Sequence, residues 1–418
     1  MPTESKERAE LTGVPKPELT ASGALSLGDR VSLISGGNGQ ASGSSNSEKW
    51  IGFPAANISN GASGEINVLG YIASGFSGLT VNSTYYVASD GTISTTQREN
   101  FRVGRAVSAT EILVEEGLVG PVIPQYGASG NDIMYGGGYN STGSLSAIEM
   151  KTFASTAIGT SHGTLNQNRN YPAAGTDGTQ AMFVAGNGGS GYTDTCELVQ
   201  YSSNTTGTSH GLLQRATMDF TATSDGYQLL SGGGRTTGGS NVNTCELKQF
   251  ASTATAVDHG DLYAVMGYHA SGSDGSQALF GGGTPGPCSI KLFSSNATSI
   301  YHGELSVVRR IVGAASDSTQ VMFGGGYNAG VFNTCDMVQF SANTTAAGHG
   351  VLSQARYGAT ACSDGSQVMF AGGNSSASGN QSSQVNTCDM KQFASTATAV
   401  DHGDMLVTRE GFAAASGN

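Results

Sequence analysis

The stretch VMFGGG, Val321 to Gly326, decides how this chain is read, because it returns. IMYGGG stands at Ile133, AMFVAG at Ala181, LLSGGG at Leu229, ALFGGG at Ala278 and VMFAGG at Val368. Self-similarity at a period near fifty residues marks a propeller, solenoid or array, since one such unit cannot bury its apolar face alone. From residue 126 onward the chain is one supersecondary unit written six times.

The intervals around this string are fixed. A Cys or Ile (Ile148, Cys196, Cys245, Cys288, Cys335, Cys388) is followed 14 residues later by His162, His210, His259, His302, His349 and His402, and each His by Gly. Fifteen residues after the His come Asp177, Asp225, Asp274, Asp317 and Asp364. Six further on stands an aromatic or its substitute: Phe183, Ser231, Phe280, Phe323, Phe370, with Tyr135 in the first copy. All length variation falls between the glycines and the Cys/Ile position, so the insertions gather in one loop per unit and share one face.

Each unit reads as four strands. The first is the run before an Asp-Gly hairpin turn, such as YGATACS at Tyr357; the second is the VMFGGG run. The third begins at the Cys, as in CDMVQF at Cys335, and the fourth at the His-Gly. The chain ends in GFAAASGN from Gly411, a first strand with no second after it, while DIMYGGG at Asp132 has only YGASGN before it. The C-terminal strand is therefore expected to complete the first unit, which removes an open edge.

Composition agrees with an all-β chain of short strands and tight turns. Glycine supplies 63 of 418 residues and charged residues only 12%. A formal charge of −12 repels nucleic acid and anionic membranes, and no apolar run is long enough for a membrane span. MPTESKERAELTG at the N-terminus lacks the apolar core of a secretory signal, so synthesis in the cytoplasm is expected. A repeat position that accepts Cys or Ile is a small buried hydrophobe, not a disulfide or metal ligand.

Ahead of the repeats, residues 1–22 read as an arm, 23–116 as a small β module and 117–125, GLVGPVIPQ, as a linker to 126–418. Strand candidates in the module are RVSLIS at Arg30, EINVLGYIA at Glu65, STYYVAS at Ser83, GTISTT at Gly91 and RVGRAVSATEILVE at Arg102, with an Asp90-Gly91 turn. GFSGLTVNSTYYVASDGTISTT followed by FRVGRAVSATEILVE resembles a β module of tail-fibre and head-fibre proteins of tailed bacteriophages, over residues 47–116. That resemblance implies a virion scaffold or connector without catalysis. The repeats, with paired glycines ending the second strand, resemble the kelch repeat of β-propellers, although the kelch tryptophan is missing and His stands about where it would sit. DHGDL at Asp258 and DHGDM at Asp401 are similar to a degenerate form in phage and marine viral structural proteins. With that resemblance, the six copies and the C-terminal strand that completes the first of them give a six-bladed kelch-like propeller closed by the C-terminal strand as the expected fold.

Three residue sets are candidates for function. A ring of His-Gly pairs suggests metal or pH sensing, but equivalent residues on six units diverge about an axis while a metal draws its ligands to one centre. Each His is expected to pack on its own unit, and no metal or cofactor is expected. Arg169, Arg309, Arg356 and Arg409 recur seven residues after the His. They are either guanidinium donors awaiting an acidic ligand or structural groups bonding nearby carbonyls. Tyr139, Tyr192, Arg235, Tyr327 and Phe332 stand in the variable loops, where aromatics stack on sugars or dock on protein. The carboxylates Glu149, Glu197, Glu246, Asp336 and Asp389 recur and so serve their own units, leaving His269 and Trp50 as the singletons and no catalytic set.

The expectation is a structural protein of a phage virion, a fibre or head decoration. Its N-terminal region would contact other virion proteins, and its propeller a host-surface glycan or protein or a neighbouring virion protein. A trimer is compatible with this reading, though no heptads demand one. A polysaccharide-active propeller enzyme and a non-viral kelch-type interaction module are the alternatives.

Overall fold

The computed structural model describes residues 131–417 and, of the preceding part, 18–114 apart from 22, 30, 34–38, 42–49, 68–71, 82, 88–92 and 96–101. The linker expected at 117–125 and the Asp90-Gly91 turn lie outside these residues. The chain is all-β, and among the described residues the only helical element is the single 3-10 turn Gln381–Ser383. It divides into two compact units, Met1–Val122 and Ile123–Asn418.

Among the described residues the first unit holds two five-stranded antiparallel sheets. One runs Glu18–Thr20, Ser63–Asn67, Trp50–Pro54, Val31–Leu33, Gly39–Ala41, over Ala21, Leu25, Val31, Ile58 and Ile66. The other runs Ile72–Ser74, Glu111–Val114, Arg102–Ala106, Thr84–Val87, Ile93–Ser94, over Phe53, Ala73, Leu79, Val103 and Ile112. Two expectations need correction here. The arm ends earlier than residue 22, because Glu18–Thr20 pairs with Ser63–Glu65. EINVLGYIA is not one strand either: Ser63–Asn67 and Ile72–Ser74 belong to different sheets. RVGRAVSATEILVE folds back as a hairpin, where the Ser108 hydroxyl accepts the Thr110 N–H at 3.2 Å and bends the chain.

Among the described residues of the second unit each of the six repeats corresponds to four antiparallel strands, arranged as four separate four-stranded sheets and one seven-stranded sheet that spans two repeats. The pattern is plainest in Gly313–Ser316, Gln320–Gly324, Thr334–Gln339 and Ala347–Val351. Counted by repeat, the third and fourth sheets share one long strand, Val257–Ser273, whose first half closes the third and whose second half opens the fourth. The first sheet is completed by the end of the chain: Ala413–Gly417 pairs with Asp132–Gly136, in register from Asp132 opposite Gly417 to Gly136 opposite Ala413.

The turn between first and second strands is built by the recurring Asp. In Asp274-Gly275-Ser276-Gln277, Asp274 Oδ1 accepts the N–H groups of Ser276 and Gln277 at 2.8 and 2.9 Å, while Oδ2 accepts Gln277 Nε2 at 2.7 Å. A side chain that satisfies its own following amides sets the turn without outside help. The turn also needs one left-handed residue, and Gly275 takes φ +88° there.

The first strands carry little but Ala, Gly, Ser and Thr, which lets them approach one another. Ala413–Gly417 touches Ala173–Thr176, and contacts then pass to Thr221–Ser224, Val257–Ser273, Gly313–Ser316, Thr360–Ser363 and back to Ala413–Gly417. Hydroxyls bridge neighbours: Ser224 Oγ donates to Thr176 O at 2.8 Å, Ser316 Oγ to Ser273 O at 2.7 Å and Ser416 Oγ to Ser363 O at 2.9 Å. Two cavities, of about 130 and 110 Å³, are each lined by residues from all six first strands or the approaches to them.

Apolar layers fill the space between sheets. The aromatic of one repeat lies over the first glycine of the preceding one: a Cβ on Gly324 would overlap the Phe370 ring, and Gly136, Gly232 and Gly281 meet Phe183, Phe280 and Phe323 alike. Where that glycine is replaced by Val184, the facing aromatic is replaced by Ser231, so volume is conserved. Cys196, Cys245, Cys288, Cys335 and Cys388 are buried and free, as is Cys362. Burial pushes the first five thiols up to about 12 and Cys362 up as well. They are protonated and out of reach, so Ellman's reagent at pH 8 should label none of them until the second unit unfolds. A native thiol that reacts within minutes would contradict this packing.

Candidate functional site

The recurrent polar residues turn out to be the seams between sheets. His162 lies on the fourth strand of the first sheet, yet its Nε2 meets the carbonyl of Gln200 on the second sheet at 2.9 Å. His210, His259, His302 and His349 reach Gln249, Leu292, Gln339 and Gln392 in the same way at 2.7–3.2 Å. The expectation that each His packs on its own unit is thus corrected. The glycine after each His explains why: a Cβ on Gly260 would overlap the Asn296 carbonyl of the next repeat. Among the described residues no group of three or more His, Cys, Asp or Glu lies close enough to hold a metal ion.

Arg169, Arg309, Arg356 and Arg409 are not offered to a ligand, since none is more than 1% exposed. Each inserts under the third strand of the next sheet and pairs with a recurring carboxylate: Arg169 with Glu197, Arg309 with Asp336, Arg356 with Asp389, and Arg409 with Glu149. They also donate to carbonyls, as Arg409 Nη1 does to Gly137 and Ala147 at 2.9 and 3.0 Å. The carboxylates therefore serve two units rather than one. Asp336 Oδ2 receives Arg309 Nη1 at 2.8 Å and the Ser306 N–H at 2.9 Å, both from the loop leaving the fourth sheet. Where the arginine position holds Met266, the carboxylate position holds Ser289. There both partners are absent together, whereas Glu246, whose arginine position holds Thr217, keeps the Gln214 N–H at 2.7 Å and is pushed up by burial.

A different set of residues lies where chemistry is available. Nine residues after each His stand Tyr171, Asp219, Tyr268, Ile311, Gly358 and Gly411, and all six line the larger cavity. Each has positive φ: 50, 56, 62 and 57° for the four side-chain-bearing residues, 67 and 59° for the glycines. The reason is a belt of backbone hydrogen bonds around the cavity. Tyr171 N donates to Gly411 O at 2.6 Å, Gly411 N to Gly358 O at 3.1 Å, Gly358 N to Ile311 O at 3.0 Å, Ile311 N to Tyr268 O at 2.7 Å and Tyr268 N to Asp219 O at 2.7 Å. Glycine would meet that conformation without strain, at a saving of roughly 1 kcal/mol or more per site, yet four positions carry side chains.

The residue preceding each of these pairs with the one that follows the glycines. Tyr139 pairs with Glu410, Asn170 with Asn187, Met218 with Arg235, Gly267 with Thr284, Arg310 with Tyr327, and Tyr357 with Asn374. Loops on both sides of each second strand thus meet on one face around the cavity mouth, and the residues there differ from repeat to repeat.

This face carries both rings and charges. Arg235 pairs with Asp219 at 3.0 Å and stands 5.4 Å from the centre of the Tyr268 ring. Arg310 stands 5.5 Å from the centres of both Tyr268 and Tyr327, and Tyr327 is 5.6 Å from Tyr357. Tyr139 and Tyr171 form a tilted pair at 5.8 Å. Burial pushes Asp219 up to about 6, against the pull of Arg235, the Tyr268 hydroxyl and Arg310. Burial also raises Tyr139, Tyr171, Tyr268 and Tyr357, so these phenols stay protonated and can donate. Glu410 is fully buried, with Oε1 held by Asn374 Nδ2 at 3.3 Å and Gln384 Nε2 at 3.1 Å.

Of the loop candidates, Tyr139, Arg235 and Tyr327 stand on this face, half-buried. Tyr192 opens the third strand of the second sheet and contributes, with Asp219 and Tyr268, to raising Arg235 against the effect of its burial. Phe332 serves by its backbone, its N–H donating to Gly326 O at 2.9 Å to close its loop. His269 is enclosed, its Nε2 meeting Gly232 O at 3.0 Å and burial driving it down to about 4. Trp50 belongs to the first unit. Asp219, Tyr268, Arg310, Tyr171, Tyr357 and Glu410 were missed by reasoning from recurrence, because they occupy the positions where nothing recurs. Their fixed distance from the His was the available signal. Comparison with protein-family models gives no match to this chain, and comparison with curated proteins gives none either.

Proposed function

We propose that the second unit is a closed six-bladed kelch-like β-propeller that binds a ligand on the face around its cavity mouth, and that the first unit carries it on a phage virion as a fibre or head decoration. One observation carries the binding part: side chains that vary between repeats occupy a backbone position that glycine would fill without strain, on an otherwise repeated frame. The cyclic contacts of the first strands and the pairing of Ala413–Gly417 with Asp132–Gly136 support closure. The virion assignment rests on the resemblance of residues 47–116 and on the modular order of the chain.

Binding of the full chain to intact bacterial host cells, and to cells stripped of surface polysaccharide, tests the reading. Binding should be lost on stripping and reduced by Tyr268→Ala. Equal binding to both cell preparations, or to neither, would remove host-glycan attachment. A second reading, a polysaccharide-active enzyme, is favoured by Asp219 and Glu410, carboxylates of this face each found in one repeat only. It predicts release of reducing ends that Asp219→Asn abolishes.

A further inference from the structure

The charges on this face suggest the class of its ligand. At −12 the chain as a whole disfavours anions, so two arginines held around one tyrosine ring are a local exception. Their environments differ. Arg235 is committed to Asp219 at 3.0 Å and keeps 30% of its side chain exposed. Arg310 has no carboxylate within ion-pair distance among the described residues, and it sits between the Tyr268 and Tyr327 rings at 5.5 Å from each. It is only half-buried, unlike the four seam arginines.

Arg235, Tyr268, Arg310, Tyr327 and Tyr357 therefore form one unbroken arc, each 5.4–5.6 Å from the next. Guanidinium groups stand over the Tyr268 and Tyr327 rings, so these tyrosines offer their hydroxyls to a sugar, and a guanidinium fork matches a carboxylate or sulfate edge. A neutral glycan would leave Arg310 without an anion. A protein segment would be expected to meet an apolar core, whereas this arc is aromatic and cationic throughout.

Resting on the reading of this face as a glycan-binding surface, we infer that its ligand is an acidic polysaccharide. Arg310, held between the Tyr268 and Tyr327 rings, binds the anionic group, a carboxylate or a sulfate ester, and the hydroxyls of the two tyrosines hydrogen-bond the sugars on either side. Arg235 is the positioning residue: paired with Asp219, it stands over the Tyr268 ring, 5.4 Å from its centre, and adds positive potential.

The test is binding of the full chain to oligogalacturonate, dextran sulfate and neutral dextran by titration calorimetry, with the Arg310→Gln and Arg310→Lys variants alongside. At least one of the two acidic probes should bind more tightly than dextran, and which of them does identifies the anionic group. Arg310→Gln should weaken that binding about tenfold or more, and Arg310→Lys should recover part of it, since the charge returns without the fork. Raising salt from 0.05 to 0.5 M, a change of about tenfold, should weaken the wild type more than Arg310→Gln. Unchanged thermal melting of both variants separates a lost contact from a lost fold.

The inference is overturned if dextran binds as well as the acidic probes, if neither acidic probe binds, or if a folded Arg310→Gln binds as the wild type does. In each of those cases polysaccharide-dependent attachment to host cells remains a separate result, so the wider reading stands or falls on its own experiment.

Discussion

Replacing Asp336 by Ser should destabilise the second unit by roughly 3–5 kcal/mol, because it strands a guanidinium in a seam closed to water. Arg309 and Asp336 are both fully buried and meet at 2.8 Å. Arg309 would keep only carbonyl partners, among them Gly325 O at 2.7 Å, and Ser306 N–H would lose its acceptor. The informative companion is the double variant Arg309→Met with Asp336→Ser. The chain already places Met266 and Ser289 at the equivalent positions of the preceding repeat. There the corresponding amide, Tyr263 N–H, finds Ser299 Oγ at 2.6 Å instead. The double variant lacks that substitute acceptor, so it should recover most of the loss but remain short by about 1–3 kcal/mol. Calorimetric melting of the full chain reads both. If single and double variants lose the same stability, the pair is not coupled and the seam argument fails.

Ending the chain at Phe412 should have a larger effect, abolishing cooperative unfolding of the second unit. The deletion removes the strand Ala413–Gly417, which pairs with Asp132–Gly136 and touches Ala173–Thr176 and Thr360–Ser363 on either side. It uncovers a core in which Met134, Ile148, Phe183 and Tyr201 pack with Ala413 and Ala415. It also leaves an unpaired edge along Asp132–Gly136, which favours aggregation. A permuted chain tests the cause. Moving residues 411–416 in front of residue 132, joined by an Asp-Gly-Ser turn copied from Asp274–Ser276, should restore the transition. A truncated protein that melts like the parent would show that the last strand is dispensable.

The two variants draw on different kinds of knowledge. The truncation follows from residue order alone, because GFAAASGN is a first strand without a sequel and DIMYGGG is a second strand without a forerunner. The same holds for the buried Cys/Ile position and for the Asp that sets each hairpin. All of these are relations within one repeat, where a fixed interval places a residue on a known strand and face.

The seams could not be read that way. Arg309 and Asp336 stand at unrelated offsets in two repeats, and nothing in the chain says they meet until one sheet is laid against the next. Spacing within one repeat places His162 on its own unit for the same reason, and its partner is Gln200. The ligand face was hidden for an opposite cause. Recurrence marks what the frame needs, so positions such as Asp219, Tyr268 and Arg310, where the frame asks only for a backbone conformation, left no repeated letter to find. Residue order and spacing are enough to specify an all-β chain of six like units and the use of its last strand. The tertiary structure alone decided which residues face one another across the seams and which converge at the cavity mouth, because those relations depend on how the sheets pack against each other and not on the spacing within any one of them.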